Sequence, residues 1–279
     1  MKKVAFIATF LWVCISGQAY AQTPKCDALT AENKSIAQSA LQEIKSYGCC
    51  TDSVASCLAK KDDACKLPGL LADDICSQIS KGKKLADIKE ALTQRTKTMS
   101  PDAKIHSIDI KPEHLWGNPD AKVVLSVYLC GRCPYCSRHV PQLIHTLENS
   151  PLKDKIAVNL KYFPIKAHDN STPAALAIEA AARMGKAWPY LIKSYENFDA
   201  FTLNKIMDWG KELGLDIEQM KTFMKDPEVR KSVADSKKEG LINGVTTTPT
   251  LFLNGRRIEG NFDVDTIMSM LEEALLNEH

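Results

Sequence analysis

The sequence predicts an α/β domain with a long helical insert, preceded by a small all-α module stapled by disulfides. Three observations predict it. From residue 105 onward, strand-type and helix-type patterns follow one another in the order β-β-α-β, a run of helices, then β-β-α. Before that point apolar residues recur at helical spacing only, and six of the 10 cysteines crowd between Cys26 and Cys76. Three more, Cys130, Cys133 and Cys136, stand where a strand passes directly into a helix, and the last half of the chain has none.

The N-terminus reads as an export signal over 1–21. Lys2 and Lys3 precede an uncharged apolar run from Val4 to Ile15, and Ala19-Tyr20-Ala21 follows as an A-x-A cleavage site before Gln22. The run is well short of the roughly 20 residues a membrane-spanning helix needs. Cleavage removes Lys2 and Lys3 from the 36 basic residues, which leaves 34 against 34 acidic ones. A mature chain without net charge has no electrostatic footprint for nucleic acid or anionic lipid, so no nucleic-acid partner is expected. The expected compartment is the periplasm, which is oxidising. Cys26, Cys49, Cys50, Cys57, Cys65 and Cys76 therefore read as three structural disulfides. Six cysteines allow 15 pairings; adjacent Cys49 and Cys50 are expected to bond to different partners.

Residues 22–99 form the cysteine-rich helical module. Ile36, Ala40, Leu41 and Ile44 mark a helix ending at Tyr47-Gly48, and a short one runs from Asp52 to Ala59. Leu70, Leu71, Ile75 and Ile79 mark a third that stops near Gly82, and Leu85, Ile88 and Leu92 a fourth. Thr96 to Pro101 reads as a linker. The α/β domain, 100–279, opens on an alternating strand from Ile105 to Ile110. After the turn Asn118-Pro119-Asp120 come strand Val123 to Leu129, a helix from Pro134 to about Asn149, and strand Ile156 to Phe163. The insert, about 165–243, holds helices Thr172 to Met184, Trp188 to Asn197, Thr202 to Leu213, Ile217 to Met224 and Pro227 to Leu241. Strand Thr250 to Leu253, the hairpin signal Asn254-Gly255, strand Arg256 to Glu259 and a helix from Val264 to Leu276 complete the domain.

Cys133-Pro134-Tyr135-Cys136 carries the chemistry. Cys133 falls at a helix N-terminus, where unpaired backbone N–H groups and the positive end of the macrodipole favour an anion. That placement lowers its pKa and marks it as the nucleophile of thiol–disulfide exchange. Pro134 fits the first helical turn, where its missing N–H costs nothing. Cys136, three residues on, is placed to resolve a mixed disulfide.

The motif does not stand alone. Gly117-Asn118-Pro119-Asp120-Ala121, the strand after it, Cys133-Pro134-Tyr135-Cys136, Tyr162-Phe163-Pro164, the alanine-rich Pro173 to Ala182 and Gly185-Lys186-Ala187-Trp188 lead to Gly244 to Gly255 with Thr248-Pro249. Over about 105–276 this resembles the DsbA-like thioredoxin-fold oxidoreductases. The resemblance implies a thioredoxin fold with a DsbA-type helical insert that caps one side of the active site. It also implies a cis Pro249 facing the cysteine pair, and a substrate-binding set of Pro134, Tyr135, Thr248 and Pro249. Thr248 would offer backbone groups to an extended substrate segment, a form of β-augmentation. One departure stands out: where many relatives place a buried acid six residues before the nucleophile, this chain has Val127. The Pro134-Tyr135 dipeptide is shared with glutaredoxin-like reductases, so the motif leaves the direction of electron flow open. The helical module is similar to the three-helix domain of CcmH-type cytochrome c maturation proteins at Cys49, Ser53 to Ser56, Leu71-Ala72, Gly82 and Ile88. Ser46 stands where that family's first redox cysteine would be.

The same thiols have rival uses. Cys130, Cys133 and Cys136 form C-x2-C-x2-C, an opening of iron–sulfur runs, but no further Cys-Pro follows. Cys130 with His139 has a spacing a metal could use; packing is the favoured role of both, so no metal and no cofactor is expected. The alternative function is a thioredoxin-fold binding protein, a chaperone or copper-handling module, using the thiols as ligands. The expected partners are unfolded or partly folded exported proteins and a membrane redox partner. A homodimer through the N-terminal module is left open.

Overall fold

The computed structural model describes residues 23–260 and 263–277. The export signal expected over 1–21 lies outside them. Five helices come first: α1 (Pro24–Asp27), α2 (Ala31–Glu43), α3 (Val54–Ala59), α4 (Leu67–Ser80) and α5 (Leu85–Met99). Their apolar stripes, including Ala37, Ala40, Ile44, Leu71, Ile75, Ile88 and Leu92, meet in one small core. Disulfides Cys26–Cys76, Cys49–Cys65 and Cys50–Cys57 staple it, so the adjacent cysteines do go to different partners. A module this short gains much of its stability from such cross-links.

Two boundaries differ from expectation. α2 ends at Glu43, not at Tyr47-Gly48, because the chain turns back to pair with the start of α3. Ser46 N donates to Asp52 O and Val54 N to Ile44 O, at 2.8 and 2.9 Å. α5 runs through the expected linker to Met99. Its last turn is held by the buried Thr98, whose hydroxyl donates to Arg257 O.

The second region holds β1 (Leu115–Gly117), β2 (Val123–Leu129), α6 (Pro134–Glu148), β3 (Ile156–Tyr162) and the insert helices α7 (Ser171–Arg183), α8 (Ala187–Glu196), α9 (Leu203–Glu212), α10 (Ile217–Lys225) and α11 (Pro227–Ile242). β4 (Thr250–Leu253), β5 (Arg256–Arg257) and α12 (Val264–Leu276) follow. The sheet order is β1-β3-β2-β4-β5. β2 and β3 are parallel, joined by the α6 crossover, and the other pairs are antiparallel. Alternation splits the sheet's faces. Leu125, Val127, Leu129, Val158 and Leu160 enter the main core with α6 and α12, while Tyr128 and Phe252 pack on the opposite face.

The expected strand Ile105 to Ile110 is not one. Only Ile105 bridges Arg256; residues 106–110 join no strand, and Ile108 packs against Tyr128 and Phe252 on the sheet face. Side chains take up the segment's polar groups: Asn159 and Lys161 both donate to Asp109 O, and Asp109 N donates to Glu239. The edge position falls to β1, where Gly117 (φ +85°) is required because a Cβ there would lie 2.5 Å from Ile156 O. The second hairpin strand also stops early, at Arg257.

The module is docked on the sheet domain through α12. Ser77 Oγ donates to Asp265, Lys81 pairs with Asp263 and Asp265, and Tyr47 OH donates to Glu273. At the centre lies Arg95, 2 % exposed. Its guanidinium reaches Asp74 at 2.9 Å and Glu273 at 2.8 Å, and its remaining donors go to Tyr47 OH and to Oγ and O of Ser269.

Candidate active site

β2 ends at Leu129, and Cys130-Gly131-Arg132 carries the chain into α6. Gly131 allows this loop to lie against α7, since a Cβ there would sit 2.9 Å from the Ala174 side chain. Cys133 is the N-cap of α6, with Pro134 in the first turn. The backbone N–H groups of Tyr135 and Cys136 point at its sulfur, as a helix N-terminus dictates. Cys130, Cys133 and Cys136 are all free, buried thiols, whereas Tyr135 beside them is 61 % exposed.

The Thr248–Pro249 bond is cis, and it brings a segment 115 residues away against the motif. The Cys133 thiol donates to Thr248 O at 3.2 Å. The Thr248 hydroxyl is buried without a conventional hydrogen-bond partner and faces the sulfurs of Cys133 and Cys136. Cys133, Cys136, Thr248 and Pro249, singled out from the sequence, are thus brought together.

The two thiols are driven in opposite directions. A hydrogen bond from Cys136 is the largest influence on Cys133; with the nearby Thr248 hydroxyl and the N–H groups of Cys136 and Tyr135 it overcomes burial and brings the pKa down from 9.0 to about 5. Burial pushes Cys136 well above the ordinary thiol value, and the neighbouring Cys133 adds to this. One thiolate and one thiol are therefore present at neutral pH. Because the depressed pKa is that of Cys133, its thiolate persists as pH falls from 9 and is lost only through about 5. Alkylation of the native protein at pH 7 is expected to modify Cys133 alone, with a rate titrating near pH 5, as peptide mapping can check. A midpoint near 9 would contradict this.

Cys130 is buried beside the pair, and burial also raises its pKa. Its sulfur lies 3.4 Å from Nδ1 of His168, a neighbour that sequence spacing did not point to. Arg132 ties the loop to the insert: its guanidinium stacks over Phe198 and Phe201 at 4.2 and 4.3 Å and donates to Phe198 O. A cleft of about 660 Å³ between α5 and α12, lined by Gln94, Arg95 and Met270 among others, is lined by none of the cysteines.

The thioredoxin family profile matches residues 109–273, more than half of the chain. The chain belongs to the thioredoxin family. Among solved structures, this thioredoxin-family chain is similar to oxidised BdbD from Bacillus subtilis, with a TM-score of 0.55 and 20% identity over 62% of this chain and 98% of that one. It is also similar to the thiol-disulfide exchange protein alpha-DsbA2 from Wolbachia pipientis, with a TM-score of 0.52 and 19% identity over 69% and 99%. At such identity these likenesses speak for the fold, a thioredoxin fold with a helical insert. Curated relatives include a Na(+)/H(+) antiporter NhaA from Herminiimonas arsenicoxydans, 30% identical over 167 residues, which is 60% of this chain and 26% of that protein. Another, NhaA 1 from Mycobacterium sp. (strain KMS), is 29% identical over 174 residues, 60% and 28%. The thioredoxin-family chain thus spans about a quarter of the length of these relatives.

Sequence reasoning did not single out His168, the Thr248 hydroxyl or Tyr195. The last had a signal: Trp188, Leu191 and Tyr195 share one face of α8 at helical spacing, and all three are buried.

Proposed function

We propose that the chain is a thiol–disulfide oxidoreductase that exchanges disulfides with exported proteins in the periplasm. The observation that carries the reading is the Cys133 thiol at the N-terminus of α6, held near pKa 5 and facing the cis Thr248–Pro249 bond. A low-pKa thiolate attacks a disulfide sulfur readily and also leaves readily. Cys133 bonds one substrate sulfur and the other departs as a thiolate. Cys136 then bonds Cys133, the substrate's remaining sulfur leaves, and two electrons have passed to the substrate. Run backwards, the same steps oxidise a substrate dithiol.

The backbone of Thr248 is read as the dock for an extended substrate strand, with Pro134, Tyr135 and Pro249 beside it. Export is supported by the Lys2-Lys3, Val4 to Ile15 and Ala19-Tyr20-Ala21 signal and by the three module disulfides, which suit an oxidising compartment. The redox partner that resets the pair is taken to be a membrane protein. Ion transport, named for relatives matched over about a quarter of their length, is not proposed for this chain.

The test is Cys136→Ala, which removes the resolving thiol and leaves the nucleophile. Expressed with its export signal, this variant is expected to accumulate mixed disulfides with several exported proteins, seen as adducts on non-reducing gels that collapse with reductant. Recovery of no adduct together with stoichiometric bound metal would favour the binding-protein reading instead.

A further inference from the structure

The turn that carries the nucleophile is fastened to the helical insert residue by residue. β2 is paired in the sheet as far as Leu129. After it, Cys130 O accepts from Cys133 N and from the buried Tyr195 hydroxyl on α8, each at 3.0 Å. Gly131 lies against Ala174 and Ile178 of α7. Arg132, the residue before the nucleophile, reaches the short turn Phe198–Ala200 that follows α8. Its guanidinium stands over the rings of Phe198 and Phe201, at 4.2 and 4.3 Å, and donates to Phe198 O at 2.7 Å. Its buried Nε makes no hydrogen bond, so part of the cation is out of water, where stacking on a ring is strongest. The rings are fixed in turn: both pack on the main core, and Phe201 meets the buried Trp209 at 5.7 Å. On the other side, the Cys133 sulfur meets Thr248 O at 3.2 Å. The nucleophile thus lies between the insert, reached through Arg132, and the cis-proline segment.

We propose that Arg132 is a positioning residue for exchange with protein substrates: clamped by Phe198 and Phe201, it holds the turn so that the Cys133 sulfur meets a disulfide docked along Thr248 and Pro249. This rests on the oxidoreductase reading above. In the first step the Cys133 thiolate bonds one substrate sulfur, and the other sulfur leaves with the electron pair of the broken disulfide bond. Arg132 alters neither sulfur; it fixes the line along which they approach. The N-terminus of α6 makes the thiol reactive locally, whatever the turn is tied to. Where that thiol stands against a substrate already held by the cis-proline segment depends on how the whole turn is held. A small disulfide that needs no dock can align itself and has no use for the clamp. A docked one cannot, and a misplacement of about 1 Å can cost such a reaction about a hundredfold.

The test is Arg132→Met, which keeps an unbranched stem and removes the guanidinium. Single-turnover attack by Cys133 is followed on two substrates: a fluorogenic peptide disulfide with neutral flanks, and dipyridyl disulfide, a small neutral probe. Attack on the peptide is expected to slow about ten- to a hundredfold. Attack on dipyridyl disulfide is expected to stay within about twofold of wild type with its pH midpoint unmoved, which also reports that the site has folded. Replacing both rings, Phe198→Leu with Phe201→Leu, should reproduce the peptide defect, and adding Arg132→Met to that pair should slow it little further. Phe201→Tyr keeps a ring face under the cation and should retain the wild-type rate. No slowing on the peptide, equal slowing on both substrates, a moved pH midpoint, or fully additive losses would overturn the proposal. Failure of the wild-type protein to attack any peptide disulfide would instead overturn the oxidoreductase reading.

Discussion

Cys133→Ser is expected to lower the rate of disulfide exchange by more than about three orders of magnitude, the scale at which removal of a covalent nucleophile is felt. The reason is specific to this site. Cys136 is also a thiol, but it is fully buried and its pKa is pushed up. It offers almost no thiolate at neutral pH and cannot substitute. Cys130 is buried and raised as well, next to His168. Cys130→Ser is therefore expected to leave both the reaction rate and the redox potential of the pair nearly unchanged. An insulin-reduction assay on both variants decides this. Retained activity in Cys133→Ser, or lost activity in Cys130→Ser, would move the nucleophile to Cys130.

Arg95→Ala is expected to be the most destabilising single change at the junction of the two regions, by about 3–5 kcal/mol. Its guanidinium sits between Asp74 and Glu273, with all three side chains at most 3 % exposed. Truncation leaves two buried carboxylates with no cation between them. It also removes a donor to Tyr47 OH and both bonds to Ser269. The surface pairs around it, such as Lys81–Asp263, are partly exposed and worth much less. Denaturant unfolding should show the loss, and calorimetry should show the helical module melting separately from the sheet domain. A change below about 1 kcal/mol would mean that the apolar contacts alone hold the module in place.

Long, regular elements were legible in the sequence. β2, α6, β3 and α12 fall within a residue or so of expectation because each combines sustained periodicity with a clear start signal, such as Pro134 after Cys133. The segment 105–110 misled because alternation reports a half-buried chain, and a half-buried chain need not join a sheet. Here the carbonyl of Asp109 was claimed by Asn159 and Lys161. β1 was missed because three residues are too few to show a period.

At the site, Cys133 and Cys136 could be read from local physics. The approach of Thr248-Pro249 came only from the family resemblance, since nothing in spacing brings residue 248 to residue 133. Tyr195 and Arg95 act through contacts across 65 and 178 residues. A single sequence carries no record of such pairs. The disulfide pairing was open for the same reason.

The most direct test of the account is a redox titration of the purified protein against glutathione, with thiols counted by mass spectrometry. Cys133 and Cys136 are expected to oxidise together as one two-electron couple, with Cys130 remaining free. A Cys133 thiolate held near pKa 5 stabilises the dithiol. The midpoint is therefore expected on the oxidising side of about −270 mV and short of the roughly −120 mV reached by the most oxidising members of the fold. A pair more reducing than about −270 mV, or a disulfide formed through Cys130, would contradict the account.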